Sequence, residues 1–172
     1  MSEVTVLMTD DAGLDTLLSD AEIQRVAEAV LDAEGVRAPV EVSVSFVDSD
    51  EMRGLNAAWR GIDAPTDVLS FECDGAEAED LPEGAVLELG DVILAPEVIA
   101  SQAPAFGFTP AEECRLMLVH GLLHLLGYDH LQEAEAAEME AHELAVLRTI
   151  AAERGEDPER VTLGPTTRHE FD

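Results

Sequence analysis

The segment from Thr109 to Gly127 restricts the fold more than any other part of the chain. Thr109, Pro110 and Glu112 form a strong helix start, with an N-cap residue, a proline at the first helical position and a capping glutamate. The helix that begins there runs to about Leu126 and is apolar nearly all round. Such a helix is stable only when other elements cover it, which predicts a central, buried helix.

The other elements are predicted from residue periodicity and from helix start and stop signals. The segment VEVSVSFV alternates apolar and polar residues, which is typical of a half-buried strand. Ser19 and Glu22 have the capping-box pattern of a helix start, and Gly35 ends that helix. The last predicted strand can return antiparallel to the strand before it. The predicted strands are residues 3–8, 40–47, 67–72 and 86–94, and the predicted helices cover 19–34, 48–59, a short stretch from Pro96, 109–126 and 132–153.

The order of these elements predicts one α+β domain, in which helices pack on a small mixed β-sheet. We expect this domain to span residues 1–153, because a chain of 172 residues suits one domain. Residues 73–85 are acidic and rich in glycine and proline, which indicates a solvated loop. Residues 154–172 are polar, contain two prolines and are predicted to form a flexible C-terminal tail.

The charge of the chain argues against nucleic-acid binding. There are 38 acidic residues against 9 basic ones, a formal net charge of −29, and every basic residue is arginine. A nucleic-acid binder normally carries a basic patch, so the bulk charge favours a protein that never meets RNA. Two explanations are still compatible with RNA binding. One is a salt-rich cytoplasm, where the Debye length is only ~3 Å at 1 M, and the other is a small cationic site within an acidic surface.

The sequence shows no feature of a membrane or secreted protein. No apolar run approaches the ~20 residues that a membrane helix needs, and the N-terminal segment MSEVTVLMTDDAG is acidic. Cys73 and Cys114 lie far apart and are expected to be reduced thiols. We therefore expect a cytoplasmic protein without a membrane partner.

Three of the five histidines fall within one segment, HGLLHLLGYDH. His120 and His124 are four residues apart, which puts both side chains on one face of a helix, one turn apart. Gly127 is a natural helix end, so the chain can turn there and bring His130 back to the same ion. Three neutral imidazoles leave one coordination position open, as a catalytic zinc site requires. The segment therefore predicts one zinc ion per chain.

Other interpretations of these histidines are less favourable. A single histidine on an apolar helix is more often a hydrogen-bonded core residue, but three with this spacing favour a metal site. The spacing is also that of the metzincin peptidases, which carry a glutamate after the first histidine as general base. Gly121 occupies that position here and cannot accept a proton. The remaining two histidines, His142 and His169, are expected to be ordinary surface residues.

The segment HGLLHLLGYDH resembles the signature of the YbeY family, bacterial single-strand-specific endoribonucleases of ribosomal RNA maturation. The segments LNAAWRGIDAPTDVLSF, residues 55–71, and LGDVIL, residues 89–94, resemble the family as well. The resemblance covers about residues 40–150. It implies the three histidines as zinc ligands, Arg60 as a functional residue, action near the 3′ end of small-subunit ribosomal RNA, and work in ribosome quality control. The implied partners are single-stranded and ribosomal RNA, with proteins of the small ribosomal subunit and an assembly GTPase as further candidates.

Two features depart from the family pattern. Glu72 follows Phe71 where the family has proline, a change that affects only the loop. The negative charge and the absence of lysine argue against a broad basic groove for RNA.

The catalytic residues beside the metal are less well defined by the sequence. Arg60 precedes Gly61 and a turn, so it is expected at a helix end facing a loop. Its guanidinium can bind phosphate through two parallel hydrogen bonds, although an arbitrary arginine is more often a solvated surface residue. Asp129 is a candidate catalytic residue because it adjoins His130, or it only orients that ligand. Asp91 is a weaker candidate for the general base, and attack by water or by the RNA 2′-hydroxyl both remain open.

Three classes of function are compatible with this sequence. We favour a metal-dependent endoribonuclease. A hydrolase of another class, such as a peptidase or an amidohydrolase, is the first alternative, and Gly121 counts against the peptidase. The second alternative is a ribosome-assembly factor in which the metal is structural and the protein acts by binding.

Overall fold

The computed structural model describes residues 3–10, 14–36, 39–73, 85–128 and 132–163. The order of elements in these ranges is the predicted one, and the fold is α+β. The elements are β1 (Val4–Asp10), α1 (Asp20–Ala33), β2 (Val40–Phe46), α2 (Ser49–Arg60), β3 (Val68–Glu72), β4 (Leu87–Leu94), α3 (Pro96–Gln102), α4 (Pro110–Leu125) and α5 (Glu133–Glu153).

The helix starts follow from local hydrogen bonds that the sequence specifies. The Ser19 hydroxyl accepts a hydrogen bond from the backbone N–H of Glu22, and the Glu22 carboxylate accepts one from the Ser19 N–H. Thr109 and Glu112 form the same reciprocal pair at the start of α4. Each pair satisfies backbone donors that a helix leaves unpaired at its first turn. Both predicted helix starts are therefore confirmed.

Within the described residues the sheet has four strands, in the order β1-β2-β4-β3. β2 is parallel to both β1 and β4, whereas β3 runs antiparallel to β4. The predicted antiparallel return and the mixed sheet are confirmed. The insertion of β4 between β2 and β3 leaves β3 at one edge of the sheet, and β4 is its only neighbour among the described strands.

Different helices cover the two faces of the sheet. The larger core joins α1, α4 and α5 to one face, which the alternate residues Val40, Val42, Val44 and Phe46 of β2 enter as predicted. α4 lies at the centre of this core, because most of its side chains are buried. A smaller cluster joins Met52 of α2 to Leu69 of β3 on the other face. α4 is thus the central, buried helix that its composition predicts.

The C-terminal part of the described chain continues past α5. A short 3-10 helix spans Pro158–Arg160, and Val161 and Leu163 pack against the larger core. Residues 164–172, and most of the predicted loop at 73–85, lie outside the described residues. The domain boundary after residue 153 stays a prediction. Among the described helices, none is both long enough and apolar enough to cross a membrane.

Candidate metal centre

His120 and His124 project from the same face of α4 toward one point. Their Nε2 atoms lie 3.1 Å apart, and the two rings meet at an angle of 85°. His120 is buried and His124 is half-buried, so the pair lies at the boundary between core and solvent. Spacing by four residues on a helix produces this approach, as the sequence predicts.

The buried carboxylate of Glu143 lies within hydrogen-bond distance of the His120 ring. Glu143 belongs to α5, and one of its oxygens lies 2.9 Å from Nδ1 of His120. Only 3% of His120 and 1% of Glu143 are exposed to solvent. A neutral imidazole that donates Nδ1–H to a carboxylate has its lone pair on Nε2. This is the tautomer that binds a metal through Nε2, and a carboxylate behind a ligating histidine is the usual second partner.

The geometry of the two imidazoles fits a bound zinc ion. Two nitrogen ligands at 2.0–2.1 Å from a tetrahedral zinc are separated by roughly 3.4 Å, close to the observed 3.1 Å. Two lone pairs cannot face each other at this distance unless a proton or a cation lies between them. Without metal, an Nε2–H of His124 can donate to Nε2 of His120, and a cation can take the place of that proton.

The third predicted ligand cannot be located. His130 and Asp129 both lie outside the described residues. Among the residues that are described, no group of three or more histidine, cysteine, aspartate or glutamate side chains is arranged to hold a metal. Ligation by His130 and the role of Asp129 therefore stay predictions.

α4 ends in a turn at Gly127. Gly127 has a φ of 103°, and its N–H donates to the carbonyl of His124. The N–H of Tyr128 donates to the carbonyl of Leu123. Together these bonds form a Schellman motif, which reverses the chain at a helix end. The turn predicted at Gly127 is present, directly before the segment that carries His130.

One sequence-based expectation for this region is wrong. His142 was expected to be an ordinary surface residue, but its Nδ1 lies 2.8 Å from a carboxylate oxygen of Glu34 and 3.2 Å from the hydroxyl of Tyr128. These contacts join α5, the end of α1 and the turn after α4. The sequence cannot reveal them, because they depend on how three separate elements pack. His169 lies outside the described residues.

Gly121, between the two histidines, lies at a close contact between α4 and the sheet. A Cβ atom at this position would lie 2.8 Å from a methyl group of Val92 and 3.1 Å from the Ser70 hydroxyl oxygen. The Ser70 hydroxyl also donates to the Gly121 carbonyl at 3.2 Å. In metzincins the general base occupies the position of Gly121. Here Val92 and Ser70 of the sheet take up the space that a side chain at this position would need.

Arg60 is the last residue of α2, and Gly61 caps that helix in the left-handed conformation. The guanidinium is exposed and makes no hydrogen bond or ion pair with any residue in the described ranges. Trp59, beside it, packs edge-to-face on Phe71 of β3. Arg60 therefore lies at the end of α2, as the sequence predicts. This helix end is close to the edge strand β3, and Arg60 does not contact His120 or His124.

Asp91 is poorly placed to act as a base at the histidines. It is exposed, whereas the next residue, Val92, is buried against Gly121 of α4. Successive side chains of a strand point to opposite faces of the sheet. Asp91 consequently points to the face opposite to α4.

Glu143 is the residue of this site that the sequence-based reasoning missed. It falls on the buried stripe of α5, with Met139, Val146 and Ile150 on the same side. A glutamate at an apolar position of a helical stripe indicates a buried partner, because an unpaired buried carboxylate is strongly unfavourable. That signal was available in the sequence, although its partner was not.

The chain is similar to known proteins in sequence and in fold. The family model described as endoribonuclease YbeY matches residues 5–151. A protein named endoribonuclease YbeY from Chloroflexus aggregans is 41% identical over 157 residues, which cover 88% of this chain and 97% of the relative. A protein of the same name from Paramagnetospirillum magneticum is 45% identical over 136 residues, 77% of this chain and 81% of the relative. A solved solution structure from Thermotoga maritima is 27% identical with a TM-score of 0.61, and the match covers 94% of this chain and all of that one.

The fold and the site define an α+β protein with two converging histidines on a buried helix. The chain belongs to the endoribonuclease YbeY family. Membership supports a hydrolase that acts on RNA as an endonuclease.

Proposed function

We propose that this protein is a zinc-dependent, single-strand-specific endoribonuclease that acts in ribosomal RNA maturation. The observation that carries the proposal is the pair of Nε2 atoms 3.1 Å apart, with Nδ1 of His120 held by Glu143. His130 is the third ligand in this proposal. When bound, the zinc ion supplies a Lewis acid that polarises a phosphoryl oxygen.

The protein's own residues orient and neutralise the scissile phosphate. Glu143 keeps His120 in the ligating tautomer and fixes its ring. Arg60 binds a phosphate oxygen and stabilises the negative charge that builds there during cleavage. The guanidinium is suited to this, because no described residue neutralises it. Asp129 orients His130 or accepts a proton from the attacking hydroxyl or water.

Family membership supports a proposal for the cellular role. We propose that the substrate is ribosomal RNA near the 3′ end of the small-subunit species, and that the protein works in the cytoplasm in ribosome quality control. Small-subunit proteins and an assembly GTPase are the proposed partners. A peptidase is disfavoured by one observation, the 2.8 Å contact that a Cβ at Gly121 would make with Val92.

A cleavage assay on defined RNA tests this function. Zinc-loaded wild-type protein should cut a single-stranded RNA internally and leave a matched duplex intact, with end-group analysis locating the cut. The His124→Ala variant should lose cleavage. His169→Ala, which removes a histidine outside the proposed ligand set, should not. Absence of internal cuts by the zinc-loaded wild type would leave the assembly-factor alternative as the better account.

The role of Arg60 has a test of its own. Arg60→Ala should retain its metal and lower the cleavage rate roughly 10²- to 10³-fold, the typical effect of removing one charge-stabilising group. Arg148→Ala is the matched control, because Arg148 is also exposed and its loss changes the net charge equally. Equal rates for the two variants would exclude a specific role for Arg60.

A further inference from the structure

Trp59 is an exposed aromatic residue beside the proposed phosphate-binding arginine. It is the only tryptophan of the chain, and 67% of its surface is exposed. Ile62, just past the helix end, is also exposed. A single exposed apolar residue such as Ile62 needs no explanation. Trp59, by contrast, directly precedes Arg60, a cation without a described partner. An aromatic ring beside a guanidinium offers a base-stacking face next to a phosphate-binding group.

Phe71 holds the indole of Trp59 in place. The ring centroids lie 5.3 Å apart at an interplanar angle of 61°, an edge-to-face contact. Such a contact is favourable in itself and fixes the orientation of both rings. Because most of the indole still faces solvent, a second planar group can stack on it without any side chain having to move away.

The edge strand β3 connects this surface to the histidines. Phe71 contacts Trp59 on one face of the sheet, and the preceding residue, Ser70, contacts Gly121 of α4 on the other. No strand of the described sheet lies beyond β3. An extended ligand that crosses this edge therefore passes the Trp59–Arg60 surface on one side and the His120–His124 pair on the other.

We propose that Trp59 stacks on an unpaired base of the RNA substrate, while Arg60 binds the backbone of the same strand. This inference rests on the proposed function and names the contact that selects single-stranded RNA. The net charge of −29 means that general attraction to phosphate is not available to this chain. Base stacking does not depend on charge, and every unpaired base offers a face for it, whereas a base in a duplex does not.

The sole tryptophan makes the contact directly observable. Mixing zinc-loaded protein with single-stranded oligouridylate should quench the tryptophan fluorescence within the first milliseconds, before turnover. A duplex of the same length should not quench it. Steady-state cleavage then separates stacking from general apolar contact. Trp59→Leu should raise KM roughly ten- to hundred-fold with kcat nearly unchanged, because one stacked base is lost. Trp59→Phe should restore KM to within a few-fold, and Ile62→Ala should leave it unchanged.

The outcomes distinguish this inference from the proposed function. If the wild type cleaves RNA but its fluorescence is not quenched and Trp59→Leu has a normal KM, the stacking contact is refuted and the nuclease function stands. If Ile62→Ala and Trp59→Leu raise KM equally, the surface binds by general apolar contact and stacking is again refuted. If the wild type neither cleaves nor is quenched, both proposals fail, and the surface becomes a candidate for contact with a protein.

Discussion

Adding a methyl group at Gly121 tests the packing contact between α4, which carries His120 and His124, and the sheet. In an exposed helix, replacing an interior glycine by alanine stabilises the fold by about 0.8–1.0 kcal/mol, because the backbone loses less entropy. At Gly121 the new Cβ would meet a methyl group of Val92 at 2.8 Å, closer than real Cβ contacts allow. Val92 is completely buried and β-branched, so it has little freedom to move. Overpacking of this kind typically destabilises by about 1–3 kcal/mol.

Gly54 supplies a matched control. It lies inside α2, and a Cβ added there would meet nothing within 4 Å. Gly54→Ala should therefore raise the free energy of unfolding by about 1 kcal/mol. Both variants gain the same helix propensity. The difference between their free energies of unfolding therefore measures the cost of overpacking at Gly121, about 1–3 kcal/mol.

Urea denaturation of the two variants measures this difference, provided that the slope with denaturant is unchanged. The double variant Gly121→Ala/Val92→Ala should be more stable than the sum of the single effects predicts, because the second change makes room for the first. If Gly121→Ala is as stable as Gly54→Ala, α4 does not lie against Val92 as described. The steric argument against a side chain at this position would then fail too.

Three further predictions concern metal, acid and salt. Glu143→Ala should weaken zinc binding roughly 10- to 100-fold in competition with a chelator, and unchanged affinity would show that its contact with His120 does not support the ligand. The pKa of Glu22 lies below its ordinary value of 4.5, chiefly because its carboxylate accepts the Ser19 N–H, with Arg154 adding to the effect. The stability that Glu22 contributes is present above about pH 4.5 and is lost as the pH falls through its folded pKa, so the stability gap between wild type and Glu22→Gln should narrow in acid. A gap that is constant from pH 7 to pH 3 would refute this. The net charge of −29 predicts that the free energy of unfolding and the RNA cleavage rate both rise as KCl increases from about 0.1 to 1 M, because salt screens repulsion among the carboxylates and toward RNA. A steady fall of the cleavage rate from low salt would refute adaptation to high salt.

The elements of this fold follow from the sequence because their signals are local. The capping boxes at Ser19 and Thr109 and the alternation in β2 each depend on residues a few positions apart. The spacing of His120 and His124 is local in the same sense, and their approach on α4 is the predicted one.

The features that sequence reasoning missed are contacts between distant segments. The Glu143 carboxylate reaches His120 from a different helix, 23 residues along the chain. The close approach of Gly121 to Val92 depends on how α4 lies across the sheet. The neighbouring sequence does not distinguish Gly121 from Gly54, although a Cβ atom at Gly54 would have open space around it. The position of β4 between β2 and β3 is likewise a choice of topology that residue periodicity does not determine.

Titration of metal-free protein with zinc tests the central claim most directly. The cleavage rate of a single-stranded RNA is measured as zinc is added to protein stripped by a chelator. We predict that the rate rises from near zero and stops rising at one zinc per chain, because in the proposed site His120, His124 and His130 together bind a single ion. Full cleavage by the stripped protein before any zinc is added, or a rate that does not respond to zinc, would contradict the account.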